Sequence, residues 1–403
     1  MYEKSDFDAV VKSASLRKEI EVRIGQLKPS GTTLTACCPF HSEKSPSFHV
    51  SESKNIWKCF GCGESGDVIT FVSKYDNISP LDAMRKIAKD YGIKVMEPKK
   101  EEEIASIVQM YTALKVAAIE FASKLLHDRS IKRYVYERGI INVDILKTWN
   151  IGYAPDAYEI IADEKAMVDS GLKKPDGKMF FRNRLMFPIE DVAGRIVGFT
   201  ARALSTDQKQ KYINTPETEV YHKSKHLYGM RQALNAMREN KSCIVVEGPF
   251  DVIAMHNAGY NMTVGSLGTS LTIEHAQLLI RYCNDIVLMY DGDAAGKKAT
   301  VRAIPNLWEA GFKTIEVAVL PEGKDPADCA NDDFKSISSV SFLYNYIDEE
   351  DLEKKIIRII EIISKCPSPV RRDILIRELA EESKMSQYSL VEELNNSLKK
   401  RLK

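Results

Sequence analysis

Apolar positions recur at helical spacing in several stretches of the amino-terminal quarter of the chain. The pattern predicts a helix over residues 6–20, short strand-like segments after it, and helices over 68–75 and 81–91. Residues 97–103 read EPKKEEE, with a proline and no apolar side chain besides it, which is typical of a linker. We therefore place the first domain boundary there.

The pattern changes twice further along the chain. A helical region extends to about Trp149, and residues 150–231 contain short apolar runs broken by glycine and proline, which predicts mixed α+β structure. From Lys241 the pattern becomes regular, with helical stretches between apolar strand candidates at 244–246, 262–266, 286–290 and 314–320. Such alternation predicts a parallel α/β sheet covered by helices.

Beyond about Asp332 the sequence is strongly helical, with an isoleucine-rich stripe from Ile356 to Ile363. We therefore expect a multidomain protein of mixed α/β and α+β class. Its predicted parts are a cysteine-containing domain at 1–96, a charged linker at 97–103, a basic α+β region at 104–240, a parallel α/β domain at 241–332 and a helical segment at 333–403.

Composition excludes several classes of protein. The 403 residues include 57 Lys and Arg and 57 Asp and Glu, with 44% apolar residues, as in globular proteins. We find no apolar run near the roughly 18 residues that span a bilayer, and the first residues, MYEKSD, do not resemble a signal peptide. We therefore expect a cytoplasmic protein, neither membrane-embedded nor secreted nor wholly disordered.

The zero net charge conceals two regions of opposite sign. Residues 173–231 contain twelve Lys and Arg against six Asp and Glu, whereas residues 244–293 contain six acids and one base, Arg281. A basic region beside an acidic one suits an enzyme that holds a polyanion with one surface and divalent cations with the other. Unrelated solvated faces would give the same counts.

Two Cys/His pairs have the spacing of metal ligands. Cys38 and His41 are separated by two residues, as are Cys59 and Cys62, and seventeen residues lie between the pairs. Each pair can supply two corners of a tetrahedral site from one tight turn, so the pattern predicts one structural zinc ion per chain. Cys37 is an alternative to Cys38, although Cys38 has the tighter spacing to His41.

The insert between the pairs carries both cations and aromatic rings, namely Lys44, Phe48, Lys54, Trp57, Lys58 and Phe60. Such side chains can follow phosphates and stack on unpaired bases, or the rings can pack around the zinc. Residues 38–71, from CPFHSEKSPSF to GDVITF, resemble the CHC2-type zinc-binding domain of bacterial DnaG-type DNA primases. The resemblance implies a domain that binds a single-stranded DNA template.

Acidic residues follow the predicted strands of the α/β region. Glu247 comes directly after 244–246, Asp251 lies one helical turn beyond it, and Asp291 and Asp293 come after 286–290. Asp325 follows the last strand candidate. The carboxyl ends of parallel strands form a common crevice, where carboxylates repel one another unless cations lie between them. The sequence therefore predicts a Mg²⁺ or Mn²⁺ site, although any single acid could instead cap a helix or close a turn.

This segment is similar to the Toprim fold that DnaG-type primases share with type IA and II topoisomerases and some nucleases. The resemblance implies that Glu247 is a catalytic acid or base and that Asp291 and Asp293 are metal ligands. Residues 265–269, GSLGT, match a primase-type loop. Many primases have Asp-Pro-Asp as a third acidic element, whereas residues 325–328 read DPAD; Asp325 thus stays a metal candidate and Asp328 is a weaker one.

The basic region resembles the amino-terminal half of the DnaG polymerase domain over residues 181–202, 211–218 and 221–229. In the family this half guides the template and contacts the phosphates of the incoming nucleotide. Guanidinium and ammonium groups suit both tasks, although each could be an ordinary surface charge. The resemblance assigns nucleotide or template binding to Arg182, Arg184, Arg202, Lys211 and Lys223, and with them Lys297 of the Toprim segment.

The resemblance covers roughly residues 1–390 in the family's order and implies a DNA primase. Such an enzyme makes short RNA from ribonucleoside triphosphates on single-stranded DNA at the replication fork, by two-metal transfer that leaves an RNA–DNA hybrid. Family members carry a further helicase-binding domain, and about 70 residues follow the Toprim segment here. A naturally short primase and a shortened chain both remain open, and with them docking on the replicative helicase.

Two rival functions share some of these residues. A Toprim nuclease or topoisomerase would use the same acids to cleave DNA, although a type IA topoisomerase needs a nucleophilic tyrosine in a domain of its own. A zinc-dependent accessory factor that binds single-stranded DNA would tolerate replacement of Glu247 or Asp291. We find no G-x-x-x-x-G-K-[ST] phosphate loop, which disfavours a fused primase-helicase.

Overall fold

The computed structural model of the chain describes residues 4–94, 101–140, 143–205, 207–268, 270–332 and 334–401. It divides into two compact units, Met1–Ile104 and Ala105–Lys403. The first holds the predicted zinc ligands and the second the predicted acidic centre.

The first unit, which we call the zinc unit, is a five-stranded antiparallel sheet with helices before and after it. The strands follow one another in chain order across the sheet, and Phe48, Trp57 and Phe71 form its buried aromatic core. Its elements are α1 (Lys4–Ser13), α2 (Leu16–Ile24), β1 (Lys28–Ser30), β2 (Thr33–Ala36), β3 (Phe48–Ser51), β4 (Ile56–Cys59), β5 (Ser65–Gly66), α3 (Val68–Asp76) and α4 (Pro80–Asp90).

The predicted single helix over 6–20 is wrong, because the chain breaks between α1 and α2. Ser15 caps α2 by accepting a hydrogen bond from the amide of Lys18. Asn55, in the turn between β3 and β4, donates through its side-chain nitrogen to the carbonyls of Val11 and Ala14 and accepts from the amide of Leu16. This asparagine, in the left-handed region at φ 52°, therefore ties the helix break to the sheet.

The second unit, which we call the polymerase unit after the family domain that its sequence resembles, begins within the long helix α5 (Glu101–His127). Residues 97–100 lie outside the described residues, and 101–103 form the start of α5, so the predicted linker does not extend to 103. Glutamates have high helix propensity and are favourable at a helix amino terminus, which explains the early start.

Helix α5 also bears on the expectation about membranes. Over residues 102–127 it is long and apolar enough to cross a bilayer by length and composition, which no apolar run in the sequence had suggested. Core helices pass the same test, and one such helix is weak evidence of a membrane span. Leu114 and Phe121 on its buried face pack against Met186 and Phe199 of the neighbouring sheet.

That sheet is antiparallel and four-stranded, and its order follows the chain. It confirms the mixed α+β structure predicted for 150–231. The elements of this part are α6 (Arg129–Glu137), α7 (Val143–Thr148), β6 (Gly152–Ala154), α8 (Glu164–Asp169), β7 (Arg184–Glu190), β8 (Ile196–Ala203), β9 (Tyr212–Asn214) and α9 (Met230–Asn240).

The predicted parallel α/β sheet is confirmed, in the order β11-β10-β12-β13-β14. Its first four strands pair in parallel, whereas β14 runs antiparallel to β13 at the edge. The elements are β10 (Ser242–Val246), α10 (Pro249–Asn257), β11 (Thr263–Gly265), α11 (Ile273–Leu279), β12 (Asp285–Leu288), α12 (Ala294–Ala310), β13 (Thr314–Ala318) and β14 (Ser336–Ser338).

Beyond 332 the chain is strongly helical as predicted, with strand β14 as an addition that the sequence does not predict. The helices that follow are α13 (Ser339–Tyr346), α14 (Leu352–Ile363), α15 (Pro369–Ser383) and α16 (Gln387–Arg401). On α14, Ile356, Ile359, Ile360 and Ile363 are buried against the same core as one face of the parallel sheet. The other face packs on the antiparallel sheet, so the parallel sheet lies between two cores.

Candidate metal centres and active-site cleft

The structure brings four predicted zinc ligands together. The ligand atoms of Cys38, His41, Cys59 and Cys62, which we call the zinc cluster, all lie within 4.8 Å of one another. The Sγ atoms of Cys38 and Cys62 are 3.9 Å apart, and Cys59 Sγ lies 3.8 Å from His41 Nδ1. Ligands about 2.3 Å from a tetrahedral zinc ion lie roughly 3.8 Å apart, so this donor set fits zinc.

Local backbone geometry explains why these four side chains converge. The amide of Phe40 donates to Cys38 Sγ and the amide of Cys62 to Cys59 Sγ, both at 3.4 Å, so each pair closes a tight turn. A Cβ at Gly61 would lie 2.7 Å from His41 Nε2, so this position requires glycine. Cys37 is exposed and lies outside the cluster, so the geometry favours Cys38.

The aromatic residues of the insert divide between core and surface. Phe48 and Trp57 are fully buried and stack at 5.1 Å, whereas Phe60 is 68% exposed. His49 meets the edge of the Phe60 ring, with centroids 5.2 Å apart, and Lys58 Nζ lies 5.2 Å from the centroid of the same ring. Phe60, His49 and Lys58 thus form one exposed aromatic and basic patch on the zinc unit.

The acidic residues of the polymerase unit meet at the carboxyl ends of the parallel strands. Glu247 follows β10 directly, Asp291 follows β12, and Asp325 lies in the loop after β13. They line a cleft of about 520 Å³ with two more acids, Asp251 in the first turn of α10 and Asp328. The ends of these strands therefore converge on one cleft, as the sequence predicts.

Burial and mutual repulsion disturb the protonation of these acids. Burial first, and then the charges of Asp291 and Asp293, raise the pKa of Glu247 to about 7. Burial and the charge of Asp325 raise the pKa of Asp251 to about 8, and the same two causes raise the pKa of Asp291. Close, partly desolvated carboxylates are a donor set that suits Mg²⁺ or Mn²⁺.

Two of the acids also hold the local backbone. Asp251 accepts from the amide of Gly248 at 2.9 Å, and Asp293 caps α12 by accepting from the amide of Gly296 at 2.8 Å. Asp293 is exposed and is not part of the cleft lining, although its charge reaches Glu247 and Asp291. Capping and metal binding are compatible, because each carboxylate has a second oxygen.

The turn that carries Asp291 and Asp293 is packed very tightly. Gly292 donates its amide to the carbonyl of Lys324 at 2.9 Å, and a Cβ at this position would lie 2.0 Å from the carbonyl oxygen of Pro321. This contact holds the turn after β12 against the loop that carries Asp325. The acids of two strand ends are thereby fixed relative to each other.

Cations line the same cleft. Arg202, on β8, and Lys211, just before β9, both line it. Arg202 is 8% exposed, donates to the phenol oxygens of Tyr134 and Tyr212 at 3.0 Å, and lies 5.1 Å from the centroid of the Phe250 ring. The cleft thus contains both carboxylates and cations, and Arg202 is held in place by its hydrogen bonds.

The other four predicted nucleotide or template ligands lie elsewhere. Arg182 is exposed and pairs with Asp156 at 2.9 Å, and Lys223 is half-buried, with its pKa lowered by that burial. Arg184 is 7% exposed and donates to the carbonyls of Ala201 and Gln210. Lys297 lies 5.4 Å from the Tyr346 ring centroid and lines a small cavity beside Asp291.

Sequence reasoning missed several residues of the cleft. Glu137 and Arg138 enter it from the end of α6, and Tyr212 and Phe250 border Arg202. Tyr212 lies in the family-like segment 211–218 but received no role, and Glu137 and Arg138 lie outside every segment that carries the resemblance. In the primase-type loop 265–269, Leu267 and Gly268 line the cleft, and Thr269 lies outside the described residues.

Three family models match the chain in succession. They are the CHC2 zinc finger over residues 2–104, the DNA primase catalytic core, N-terminal domain, over 121–234, and the Toprim-like domain over 244–330. Their order and boundaries agree with the zinc unit, the antiparallel sheet and the parallel sheet.

Two curated relatives of the chain share the name DNA primase. A DNA primase of Clostridium acetobutylicum is 34% identical over 93% of this chain and 67% of its own length. A DNA primase of Deinococcus radiodurans is 39% identical over 76% of this chain and 56% of its own length. The chain therefore spans between just over half and two thirds of the length of these relatives.

Solved structures agree with the sequence relatives. The zinc-binding and RNA polymerase domains of the Aquifex aeolicus primase match with a TM-score of 0.62 at 32% identity, covering 96% of this chain and 99% of that one. A DnaG primase catalytic domain bound to single-stranded DNA matches with a TM-score of 0.60 at 29% identity, covering 69% and 99%. The chain therefore belongs to the family of bacterial DnaG-type DNA primases.

Proposed function

We propose that this protein is a DNA primase, which synthesises short RNA primers from ribonucleoside triphosphates on single-stranded DNA in the cytoplasm, at the replication fork. The observation that carries the proposal is the cleft of the polymerase unit, which Glu247 and Asp291 line together with Arg202 and Lys211. A nucleoside triphosphate with its divalent cations needs both kinds of group, because the cations require carboxylates and the phosphate oxygens require positive charge.

Glu247, Asp251, Asp291, Asp293 and Asp325 are the residues that would hold Mg²⁺ or Mn²⁺. Bound divalent ions supply positive charge for the attacking 3′-hydroxyl and for the departing pyrophosphate. Glu247, which lines the cleft at the end of β10, would accept the proton of the 3′-hydroxyl on its carboxylate. Arg202 and Lys211 would hold phosphate oxygens of the incoming nucleotide in line with that hydroxyl.

Template binding is the role we propose for the patch formed by Phe60, His49 and Lys58. An exposed ring beside a lysine can stack an unpaired base while the ammonium group pairs with a phosphate. The relative solved with single-stranded DNA supports a single-stranded template for the family's catalytic domain. Docking on a replicative helicase stays a proposal drawn from the family alone.

Primer synthesis on random single-stranded DNA with labelled ribonucleotides and Mg²⁺ or Mn²⁺ tests the proposal. We expect short RNA from the wild type and a loss on the order of 10²- to 10³-fold in Asp291→Ala. Glu309→Ala, an exposed acid at the far end of α12, is the matched control and should keep full activity. Metal-dependent cutting of the template without RNA synthesis would favour a nuclease, and DNA binding with neither reaction would favour an accessory factor.

The zinc unit has its own test, in which the affinity for single-stranded DNA is measured. Phe60→Ala should weaken binding of single-stranded DNA by about 1–3 kcal/mol, the typical contribution of one stacked base. Val22→Ala, an apolar residue 74% exposed on α2, is the control for loss of exposed apolar area. Equal affinities of the two variants would remove Phe60 from the template site.

A further inference from the structure

The carboxylate of Glu43 lies beside the zinc cluster and is almost fully engaged. Its side chain is 10% exposed. Oε1 accepts from the amides of Cys38 at 2.6 Å and Ser47 at 3.1 Å, and Oε2 accepts from Ser47 Oγ at 2.5 Å. These three bonds fix the position of the carboxylate, since the two amides belong to the turn that carries the first ligand pair.

The fourth contact of Glu43 reaches a zinc ligand directly. His41 Nε2 lies 3.1 Å from Oε2 of Glu43, whereas His41 Nδ1 is the ring atom that faces Cys59 Sγ. A neutral imidazole that coordinates zinc through Nδ1 carries its proton on Nε2. That N–H points at the carboxylate and can donate to it.

The edge of the His41 ring that carries Nε2 and Cε1 is closely packed. A Cβ on Gly61 would come within 2.7 Å of His41 Nε2 and 2.9 Å of Cε1, so the chain passes close to this edge of the ring. Glu43 occupies the hydrogen-bonding direction of Nε2, and Cys59 Sγ lies on the Nδ1 side. These contacts favour the orientation in which Nδ1 faces the zinc cluster.

We propose that Glu43 is a positioning residue of the zinc site, whose carboxylate holds His41 as the Nε2–H tautomer with Nδ1 aimed at the metal. The amides of Cys38 and Ser47 keep the carboxylate in place for this task. A metal-bound histidine whose second nitrogen donates to a carboxylate is a stronger and better oriented ligand. Ligand spacing does not select Glu43, because it lies outside the two ligand pairs.

The coordination of His41 can be measured on the unaltered protein. In the zinc-loaded full chain labelled with ¹⁵N-histidine, we expect long-range ¹H–¹⁵N correlations to show a protonated Nε2 and a metal-shifted Nδ1 for one of the seven histidines. The variant His41→Cys assigns that signal by its disappearance. A pattern with zinc on Nε2 would overturn the proposal, whether or not any Glu43 variant folds.

Zinc affinity in competition with a chromogenic chelator tests the role of the carboxylate. Glu43→Gln replaces one acceptor oxygen by an NH₂ donor, which must face an N–H group, so we expect zinc affinity to fall by about 10- to 100-fold. Glu52→Gln, an exposed acid in the turn after β3, is the matched control and should bind zinc like the wild type. Equal affinities of the two variants would refute a positioning role.

A double-mutant cycle separates positioning of His41 from general support of the turn. In a His41→Cys background the site has four cysteines, and Glu43→Gln should then weaken zinc binding far less than it does beside His41. The same loss in both backgrounds would show that Glu43 acts only through the turn. Histidine NMR and zinc affinity are both measured without primer synthesis, so their outcome does not depend on whether the proposed function is correct.

Discussion

Arg182 and Arg184 are separated by one residue, and the structure gives them different roles. Both were assigned to nucleotide or template binding because they share one motif of the basic region. Arg182 points to solvent, whereas Arg184, the first residue of β7, is buried and donates to the carbonyls of Ala201 and Gln210. Those two residues immediately precede the cleft cations Arg202 and Lys211. Arg184 thus supports the hairpin that carries them, which a motif alone does not reveal.

Arg184→Met should therefore destabilise the polymerase unit. Methionine fills much of the space but leaves two carbonyls without their donor, which costs about 1–3 kcal/mol in the free energy of unfolding. Denaturant unfolding followed by circular dichroism measures the change. Arg182→Met, which removes an exposed ion pair, should change stability by less than about 0.5 kcal/mol. Similar losses in both variants would contradict a buried structural role for Arg184.

The raised pKa values of Glu247 and Asp251 predict how stability depends on pH without added Mg²⁺. Below the usual pKa near 4, both carboxyls are protonated in the folded and unfolded chain and have no effect. As the pH rises towards 7 and 8, the unfolded chain ionises them freely while the fold resists, so the unfolding free energy falls. Thermal unfolding from pH 5 to 9 in zinc-containing, magnesium-free buffer should show this decline.

The matched control for this pH dependence is the double variant Glu247→Gln and Asp251→Asn. Its melting temperature should change less between pH 5 and 9, because the groups that titrate are gone. Added Mg²⁺ should flatten the wild-type profile as well, since it favours the ionised carboxylates. An unchanged slope in the variant would assign the effect to other groups.

At the scale of elements, the sequence predicts the helices and strands that have a regular hydrophobic periodicity. It does not predict the helix break and the short strand that depend on single polar residues or on pairing. The four parallel strands and the helices α3 and α4 were found because their apolar patterns are regular. The break at Ser15 was missed because both helices share one apolar spacing across it. Strand β14 was missed because its three residues, Ser-Ile-Ser, are ordered by pairing with β13 and carry no pattern of their own.

The junction of β12 and α12 gives an element-scale prediction. Gly292→Ala places a methyl group 2.0 Å from the Pro321 carbonyl oxygen, so the turn must move away from the loop that carries Asp325. We expect Mn²⁺ affinity, measured by calorimetry, to fall by about tenfold or more, as for loss of ligand support elsewhere. Ala295→Ser, in the exposed first turn of α12, should leave it unchanged. Unaltered Mn²⁺ binding in Gly292→Ala would show that the turn tolerates the shift.

At the scale of the molecule, the two units depend on metals in different ways. The zinc unit has about a hundred residues and a metal cluster built into its core, so its stability includes the free energy of zinc binding. The polymerase unit has its own cores on both faces of the parallel sheet. The acidic residues that would hold metal ions in its cleft lie at the carboxyl ends of the parallel strands, outside those cores.

A zinc chelator should therefore shift only part of the unfolding profile. We expect differential scanning calorimetry to show two transitions, of which the chelator lowers the one assigned to the zinc unit by Trp57 fluorescence. Trp149 and Trp308 report the other transition, which should stay in place. A single transition that moves as a whole would show that the two units unfold together.

The hydrogen bonds of Asn55 determine which end of the β3–β4 hairpin unfolds first when zinc is lost. The β3–β4 hairpin has the pair Phe48 and Cys59 at its metal end and the pair Ser51 and Ile56 at its turn end. Asn55 anchors the turn end to the helix break through three hydrogen bonds that involve no metal. When zinc is lost, amide hydrogen exchange will therefore spread along the hairpin from Cys59 towards Asn55. The anchored turn and the helices α1 and α2 would be the last part of the zinc unit to open. The zinc site would then re-form beside this folded part.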